Sequence, residues 1–336
     1  MKVAVFSTKR YDREALQKAN APHGHELEFF EVPLKPRTAP LADGFEGVIV
    51  FVNDRADEVV IEQLSRGGTR FIATRSAGFN QIDLHAASSH GISVARVPSY
   101  SPNAISEFTV GLILTLGRQI HRAYNRVREN NFELHGLKGF ELRDQTVGVF
   151  GTGRIGAATI KNLSGFGSEI LAYDVVRNPD VEDLATYFDD PLEVVRRSNI
   201  LTFHMPLTPE THHIVNADSI RLMKDGVFIV NTSRGGLMDT AAVVQGLKSR
   251  KIGYLAIDVY EEEGDLFFRD LSDDVVQDDV FARLLTFPNV LVTGHQAFMT
   301  DRALATIAET TLENLSQFER TGTCDNVVKI DEVMRG

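Results

Sequence analysis

The stretch 146-TVGVFGTGRIGAATIKNLSGFGSEILAYD-174 decides how the rest of the chain is read. An apolar, β-branched run (Val147, Val149, Phe150) stops at Gly151, glycines recur at Gly153 and Gly156, and a helix-forming segment follows. A second apolar run, Ile170 to Tyr173, ends on Asp174, about 20 residues beyond the glycines, which is the spacing of a dinucleotide fingerprint. Each glycine has its own physical task. Gly151 allows a sharp turn, Gly153 lets the backbone come close to a pyrophosphate, and Gly156 lets the helix pack on the strand. The helix N-terminus then offers unpaired N–H groups and a positive dipole end to the anion. A carboxylate at position 174 accepts from both ribose hydroxyls and repels a 2′-phosphate, which favours NAD over NADP. A glycine triplet alone is also an ordinary strand-to-helix turn; here the flanking strand, helix, second strand and terminal Asp occur together.

At 336 residues the chain has room for two domains, each with its own core. Its 43% hydrophobic and 24% charged content is that of a globular protein, and a formal net charge of -11 argues against nucleic acid or an anionic membrane as the main partner. A single cysteine, Cys324, excludes an intramolecular disulfide and is consistent with a reducing compartment. The opening MKVAVFSTKRYD lacks a signal-peptide core, and no later apolar run is long enough to span a bilayer, so a cytoplasmic location is expected.

The first hundred residues alternate short apolar runs (2–7, 26–32, 47–52, 70–74, 92–97) with helical segments around 12–20, 57–65 and 83–90. This alternation predicts a parallel sheet with helices on both faces. Because the fingerprint comes only after that unit is complete, the first domain should hold something other than the pyrophosphate. From Asn103 to Arg128 a nearly continuous apolar stretch (104–117) runs into a polar, basic one. Its all-round apolarity predicts one long helix that crosses between domains and buries a face against another subunit, a core helix of the second domain being the alternative. After the fingerprint, helices at 192–197, 217–223 and 240–247 alternate with strands at 200–204, 227–232, 254–259 and 290–293. An acidic segment, 261–279, is too long for an ordinary connection and is read as a lid or a surface excursion. A helix over 300–320 follows, and the tail from Gly322 is expected to return to the first domain. The fold class is therefore α/β, with two doubly wound parallel sheets and an interdomain cleft. A flavodoxin-like substrate domain takes 1–99 and 297–336, and a Rossmann NAD domain takes 100–296.

Ligands of open α/β sheets sit beyond the carboxyl ends of the strands. Those positions here hold His204, then Ser233 and Arg234, then Asp258 with Glu263, then His295. Arg234, in NTSRGG, is a permanent cation whose planar fork suits a carboxylate, although a lone arginine at a helix start is commonly a surface residue. His295 can give or take a proton near neutral pH, although a single histidine is more often structural. Glu263 could hold its imidazolium in place. A cation, an acid and an acid-orienter beside a nicotinamide describe reduction of a 2-oxo acid. Arg234 would bind the carboxylate and polarise the ketone while His295 protonates the oxygen, and the reverse reaction would use neutral His295 as base.

GTGRIG followed by YD, then NTSRGG, DVYEEE and GHQAF, in this order behind a complete N-terminal α/β unit, resembles the D-isomer-specific 2-hydroxyacid dehydrogenases. RSAGFNQID, VPSYSP, NFELHGLKGF and QDDVF are similar to the fermentative D-lactate dehydrogenases within that family, and the likeness runs from about Met1 to Val328. It implies an NAD-dependent enzyme that reduces pyruvate to D-lactate, a homodimer or homotetramer formed through the 104–117 region, and the catalytic roles above for Arg234, Glu263 and His295. The resemblance further implies that Asp258 binds the nicotinamide carboxamide, and that Arg154 and Ile155 meet the pyrophosphate and adenosine side. By the same likeness Met205, Pro206, Thr211, Thr232 and Ser233 line the cofactor. The Ala77 and Gly78 N–H groups would share the substrate carboxylate with Arg234, and Tyr100 and Phe298, with Phe51 a weaker candidate, would close a small apolar pocket. The D-hand comes from the resemblance alone. Phe108 stands where relatives frequently carry histidine, and Met205 where Cys or Val is common; both touch cofactor packing rather than the catalytic trio. His23/His25 and His212/His213 lack companion ligands at metal spacing and are read as loop residues, so no metal site is expected. Other D-2-hydroxy acids (2-hydroxyisocaproate-, glyoxylate- or hydroxypyruvate-type substrates) are the alternative within the class. An NAD-sensing corepressor or scaffold on the same fold is the alternative outside it.

Overall fold

The computed structural model describes residues 1–329; residues 330–336, the end of the expected substrate domain, lie outside the described residues. The chain divides into two compact units, Met1–Ser101 with the segment from Met299 onward, and Pro102–Phe298. Each boundary falls two residues later than the expected breaks at 99/100 and 296/297.

The first unit is built from β1 (Lys2–Val5), α1 (Arg10–Ala19), β2 (Glu26–Phe29), β3 (Gly47–Val50), α2 (Glu58–Arg66), β4 (Phe71–Thr74), α3 (Leu84–Ser89) and β5 (Ser93–Ala95). Its strands pair in parallel in the order β2-β1-β3-β4-β5, the flavodoxin-like order. Strands β3 (GVIV) and β4 (FIAT) are buried at every position, as central parallel strands covered on both faces must be. Cover on one face comes from the far end of the chain. The last described helix, Asp301–Thr321, packs Leu312 and Leu315 into a cluster with Val3, Val5, Ile49 and Phe71, and its Phe318 stacks on Phe71 with ring centroids 4.4 Å apart. The tail then returns along β5: the Val328 N–H donates to the Val94 carbonyl at 2.8 Å, and Val327 bridges Ala95 in antiparallel sense.

The second unit contains α4 (Pro102–Gly117), α5 (Ile120–Arg128), β6 (Thr146–Phe150), α6 (Arg154–Ser164), β7 (Glu169–Tyr173), β8 (Thr186–Tyr187), α7 (Pro191–Arg197) and β9 (Ile200–Phe203). It continues with α8 (Ala217–Leu222), β10 (Val227–Asn231), α9 (Thr240–Lys248), β11 (Ile252–Ile257), α10 (Asp279–Leu285) and β12 (Val290–Val292), and the helix at Asp301–Thr321 is α11. The strands are parallel in the order β12-β11-β10-β9-β6-β7-β8, so the direction of winding reverses between β6 and β9. That switch point is where a doubly wound sheet opens a crevice.

One expectation needs correction. The helix predicted over 103–128 is two helices, broken where Gln119 takes a left-handed backbone (φ 55°) that no continuing helix tolerates. The apolar 104–117 segment buries much of its surface inside its own unit, as the core-helix alternative has it. α4 packs along α6 and across β10 and β11, with Ala104, Ile105, Val110, Leu112, Ile113 and Leu116 buried, and Asn162 Nδ2 of α6 donates to Ser106 Oγ at 2.7 Å. Its exposed positions, Asn103, Glu107 and Gly111, form a narrow stripe without large apolar side chains. The exposed apolar side chains lie beyond it, at Ile120, Tyr124 and Val127 of α5 and at Phe132 and Leu134. The acidic 261–279 segment is likewise more than a surface excursion. Phe267 is buried with Phe281, the Tyr260 ring lies 5.0 Å from Phe281, and the Tyr260 hydroxyl donates to Asp278 at 2.6 Å. No helix among the described residues is long and apolar enough to cross a membrane.

Leu312 has no exposed surface. Leu312→Ala should lower the unfolding free energy in urea by about 2–5 kcal/mol; a loss under about 1 kcal/mol would mean that α11 does not close this core.

Candidate active site

The carboxyl edge of the second sheet begins with the turn after β6. Gly151 has φ 86°, and a Cβ there would lie 2.7 Å from the His204 backbone; a Cβ on Gly156 would lie 1.8 Å from the Gly151 carbonyl oxygen. Neither position admits another residue without backbone movement. Above Gly153 the space is open, with nothing within 4 Å of a Cβ, and this glycine is the N-cap of α6 with no side-chain cap. The first-turn N–H groups, beginning at Arg154 and Ile155, thus face an uncapped space that suits an anion, so the residues present fit a pyrophosphate. At the end of β7, Asp174 is fixed by the Thr152 N–H and hydroxyl on Oδ2 and by the Val176 N–H at 3.1 Å on Oδ1. Val175 and Val176 beside it are strongly exposed.

The ends of β9 and β10 are tied together. Ser233 Oγ donates to the Met205 carbonyl at 2.7 Å, and Thr211 Oγ1 donates to the Pro206 carbonyl at 2.7 Å. The Thr232 hydroxyl is engaged with Thr109 of α4 at 2.8 Å. Arg234 follows in extended conformation, its Nη1 donating to the Ser233 carbonyl at 2.7 Å while Asn231 Nδ2 donates to the Arg234 carbonyl at 2.8 Å. Gly235 comes so close to the β11 exit that a Cβ would lie 2.1 Å from the Tyr260 carbonyl carbon. The turns carrying Arg234 and Glu263 are therefore packed backbone against backbone.

Glu263 and His295 meet directly. His295 Nδ1 lies 2.7 Å from Glu263 Oε1, and Glu263 Oε2 accepts the Tyr260 N–H at 3.0 Å. The two side chains are 17% and 24% exposed, enough shielding for the pair to matter and enough opening to meet a ligand. His295 adopts φ 53°, uncommon for a non-glycine residue, and the surrounding bonds hold it there. Its N–H donates to the Asp258 carbonyl at 2.7 Å, while the Asp258 carboxylate accepts the Thr293 hydroxyl at 2.5 Å and the Gln296 and Ala297 N–H groups at 2.9 and 2.8 Å. Burial pushes the Asp258 carboxyl above the usual carboxylate range, and these hydrogen bonds and the nearby His295 pull against it. Phe268, delivered by the acidic segment, stands 5.6 Å from the His295 ring.

Arg234, Glu263 and His295 thus leave three adjacent strands, β10, β11 and β12, at one edge. Ala77 and Gly78 lie in the loop after β4 of the first unit, Phe51 follows β3 and Tyr100 follows β5; Phe298 closes the second unit. His212 and His213 are not without a companion. Glu261 brings its carboxylate to them, so that three potential ligand atoms lie within 4.8 Å of one another. His213 Nε2 bonds Glu261 Oε1 at 2.5 Å, and Thr240 Oγ1 donates to the other oxygen at 3.1 Å, so the cluster ties together the segments that follow β9, β10 and β11.

The family model for the D-isomer specific 2-hydroxyacid dehydrogenase NAD binding domain matches residues 110–297. The chain belongs to the D-isomer-specific 2-hydroxyacid dehydrogenases. A 2-hydroxyacid dehydrogenase homolog of Haemophilus influenzae is 51% identical over 328 residues, 98% of this chain and 99% of that one. The D-lactate dehydrogenase of Escherichia coli is 49% identical over 326 residues, 97% of this chain and 99% of that one. The solved apo structure of D-lactate dehydrogenase from Escherichia coli matches with a TM-score of 0.89 at 46% identity, covering 98% of this chain and 100% of that one. The second unit of this dehydrogenase is accordingly an NAD-binding domain.

Features of the dehydrogenase that the sequence pattern did not mark include Gly235, whose close approach to Tyr260 was hidden in an ordinary-looking RGG, and Phe268. His204 was marked only as a strand-end residue. Its Nε2 meets Thr202 Oγ1 at 3.0 Å, its buried Nδ1 makes no hydrogen bond among the described residues, and burial lowers its pKa to about 4. An unfolded histidine charges near 6.5, so the folded state resists a proton that the unfolded state accepts. Stability should therefore fall as pH drops from about 6.5 towards about 4. In thermal unfolding, His204→Gln should lose less Tm than the unsubstituted protein between pH 7 and pH 4.5; equal losses would remove His204 as the cause.

Proposed function

We propose that the chain is a D-lactate dehydrogenase that reduces pyruvate with NADH. The observation that carries this is the 2.7 Å bond between His295 Nδ1 and Glu263 Oε1, on strand ends adjacent to the one bearing Arg234. With Nδ1–H committed to the carboxylate, Nε2 is the nitrogen left to serve the substrate, and Glu263 stabilises the charged ring. Arg234 clamps the substrate carboxylate through its planar fork and polarises the ketone, with the Ala77 and Gly78 N–H groups as further donors. When bound, reduced nicotinamide supplies a hydride to the ketone carbon. As the carbonyl electron pair moves to oxygen, His295 transfers its Nε2 proton there, giving the 2-hydroxy acid and neutral imidazole. Tyr100, Phe298 and Phe51 supply apolar walls for a methyl-sized side chain. The similarity to the D-lactate dehydrogenase of Escherichia coli supports the choice of acid and of hand.

Asp174 supports NADH over NADPH, since its carboxylate would stand against a 2′-phosphate. Arg177, three residues further on, pairs with Asp189 at 2.6 Å. Met205, Pro206, Thr211, Thr232 and Ser233 lie along the same edge as candidate cofactor contacts, Gly151, Gly153 and Gly156 as the pyrophosphate turn. Asp258 takes a structural share in this proposal, because its carboxylate is already engaged in holding the 293–297 loop. Self-association is assigned to Ile120, Tyr124, Val127, Phe132 and Leu134, which stay exposed once the residues of 104–117 are buried inside their own unit.

Purified protein should oxidise NADH on addition of pyruvate, and NADPH at least about tenfold less efficiently. His295→Gln should reduce kcat by about 10²–10⁴, and Arg234→Gln should reduce kcat/KM by roughly 10² or more. Retained turnover in either variant would end the assignment. Because reduction needs protonated His295 and oxidation the neutral form, the pH optimum for pyruvate reduction should lie below that for lactate oxidation; coincident optima would contradict the role. Separately, Tyr124→Asp should shift sedimentation towards the monomer, and an unchanged sedimentation coefficient would rule out this surface as the contact.

A further inference from the structure

A buried ion cluster in the first unit takes no part in the chemistry above. Arg75, the residue after β4 and immediately before the Ser76–Ala77–Gly78 loop, is 1% exposed. Its Nη1 pairs with Asp12, at the start of α1, and its Nη2 donates to the Phe6 and Ser7 carbonyls at 2.8 and 3.3 Å. Its guanidinium lies over the Phe51 ring at 5.0 Å. Asp54, 3% exposed, completes the cluster: Oδ1 accepts the Ser7 hydroxyl at 2.6 Å and the Leu34 N–H at 2.7 Å, and Oδ2 accepts the Phe51 N–H at 2.6 Å. Ser7 sits at φ 50°, a conformation those bonds hold in place.

Stability alone is a poor reason for this arrangement. A buried ion pair contributes no more than apolar residues of the same volume, and Arg75 Nε is a buried donor that makes no hydrogen bond among the described residues. What the cluster does uniquely is fasten the exits of β1, β3 and β4 to one another. The exit of β3 carries Phe51 and the exit of β4 carries Ala77 and Gly78. Within that second exit, Thr74 Oγ1 donates to the Ser76 carbonyl and Ser76 Oγ to the Gly78 carbonyl, both at 2.7 Å, so a shift of Arg75 propagates through a short, hydrogen-bonded turn.

We propose that Arg75 and Asp54 are positioning residues that hold Phe51 and the Ala77–Gly78 loop in register, and so set substrate affinity and the size of 2-oxo acid accepted. This rests on the function proposed above, in which Ala77, Gly78 and Phe51 face the substrate. Lysine at position 75 would keep the charge but lose the fork that spans Asp12, Phe6 and Ser7 and the flat face over Phe51.

The experiment is steady-state kinetics of the full-length chain with NADH, comparing pyruvate with 2-oxobutanoate, which is one methylene longer. Arg75→Lys should raise KM for pyruvate roughly tenfold while kcat stays within about threefold. It should also narrow the preference for pyruvate over 2-oxobutanoate by about threefold or more. In a Phe51→Leu background the same substitution should leave that preference where Phe51→Leu alone has put it, because both act through one wall. The Kd for NADH without substrate should be unchanged. A merely structural staple would lower Tm and the active fraction, reducing kcat for both acids alike with KM and preference unmoved, and that result overturns the proposal. Should Arg75→Lys fail to fold, Ser7→Ala, which removes only the hydroxyl on Asp54, decides: a rise of about twofold to threefold in KM supports positioning, and no change refutes it. Wild-type protein is assayed first; if it turns over neither acid, the proposed function fails on its own, whereas loss of activity in His295→Gln with unmoved KM in Arg75→Lys fails only the positioning role.

Discussion

Asp258 carries a carboxylate with no exposed surface, and the path of the 293–297 loop depends on its compensation. A buried charge survives only if hydrogen bonds replace the water it has lost. Here the replacements are the Thr293 hydroxyl and the Gln296 and Ala297 N–H groups, with the Asp258 carbonyl taking the His295 N–H. The loop must wrap around Asp258 to supply them, and that wrapping forces His295 into a left-handed backbone, from which its ring reaches Glu263. The constraint originates in the sheet itself: parallel strands all end on one edge, and each chain leaving that edge has backbone groups with no ladder partner. Asp54 answers the same need in the first unit, accepting the Phe51 and Leu34 N–H groups where β3 and its neighbours end.

Labour is divided between the units accordingly. Arg234, Glu263, His295 and the pyrophosphate turn all belong to the contiguous segment Pro102–Phe298. The first unit contributes to the proposed site the Ala77 and Gly78 main-chain donors and the Phe51 and Tyr100 side chains. The residues proposed for cofactor handling and proton transfer thus all lie on one sheet edge.

What the sequence made legible were features with short, fixed spacing or a strand-end address. The run from Thr146 to Asp174 has one physical solution, and Arg234, Glu263 and His295 were found because polar residues just past apolar runs collect at one edge. Features whose meaning lies in a distant partner stayed hidden. Nothing in VND or TRS says that Asp54 meets Ser7 or that Arg75 meets Asp12, because those pairs are 47 and 63 residues apart. Glu261 in an acidic run resembles any solvated carboxylate until β11 and β9 bring it to His213. The break at Gln119 stayed hidden because its flanks have helical composition, and the packing of α4 on α6, β10 and β11 could not be read from its apolar length. Strand β8, two residues long, is below the length at which alternation can be read.

The C-terminal helix of the first unit has a consequence for how the polypeptide is made. Val3, Val5 and Phe71 emerge from the ribosome before the second unit, yet the side chains that seal them, Leu312, Leu315 and Phe318, are translated only after it. The N-terminal sheet therefore waits, one apolar face uncovered, while the whole intervening nucleotide-binding unit is synthesised and free to fold. Order of birth and order of completion are inverted: this early sheet is closed only after the later unit has been made, and the interval between is when its bare face is open to chaperones or to aggregation.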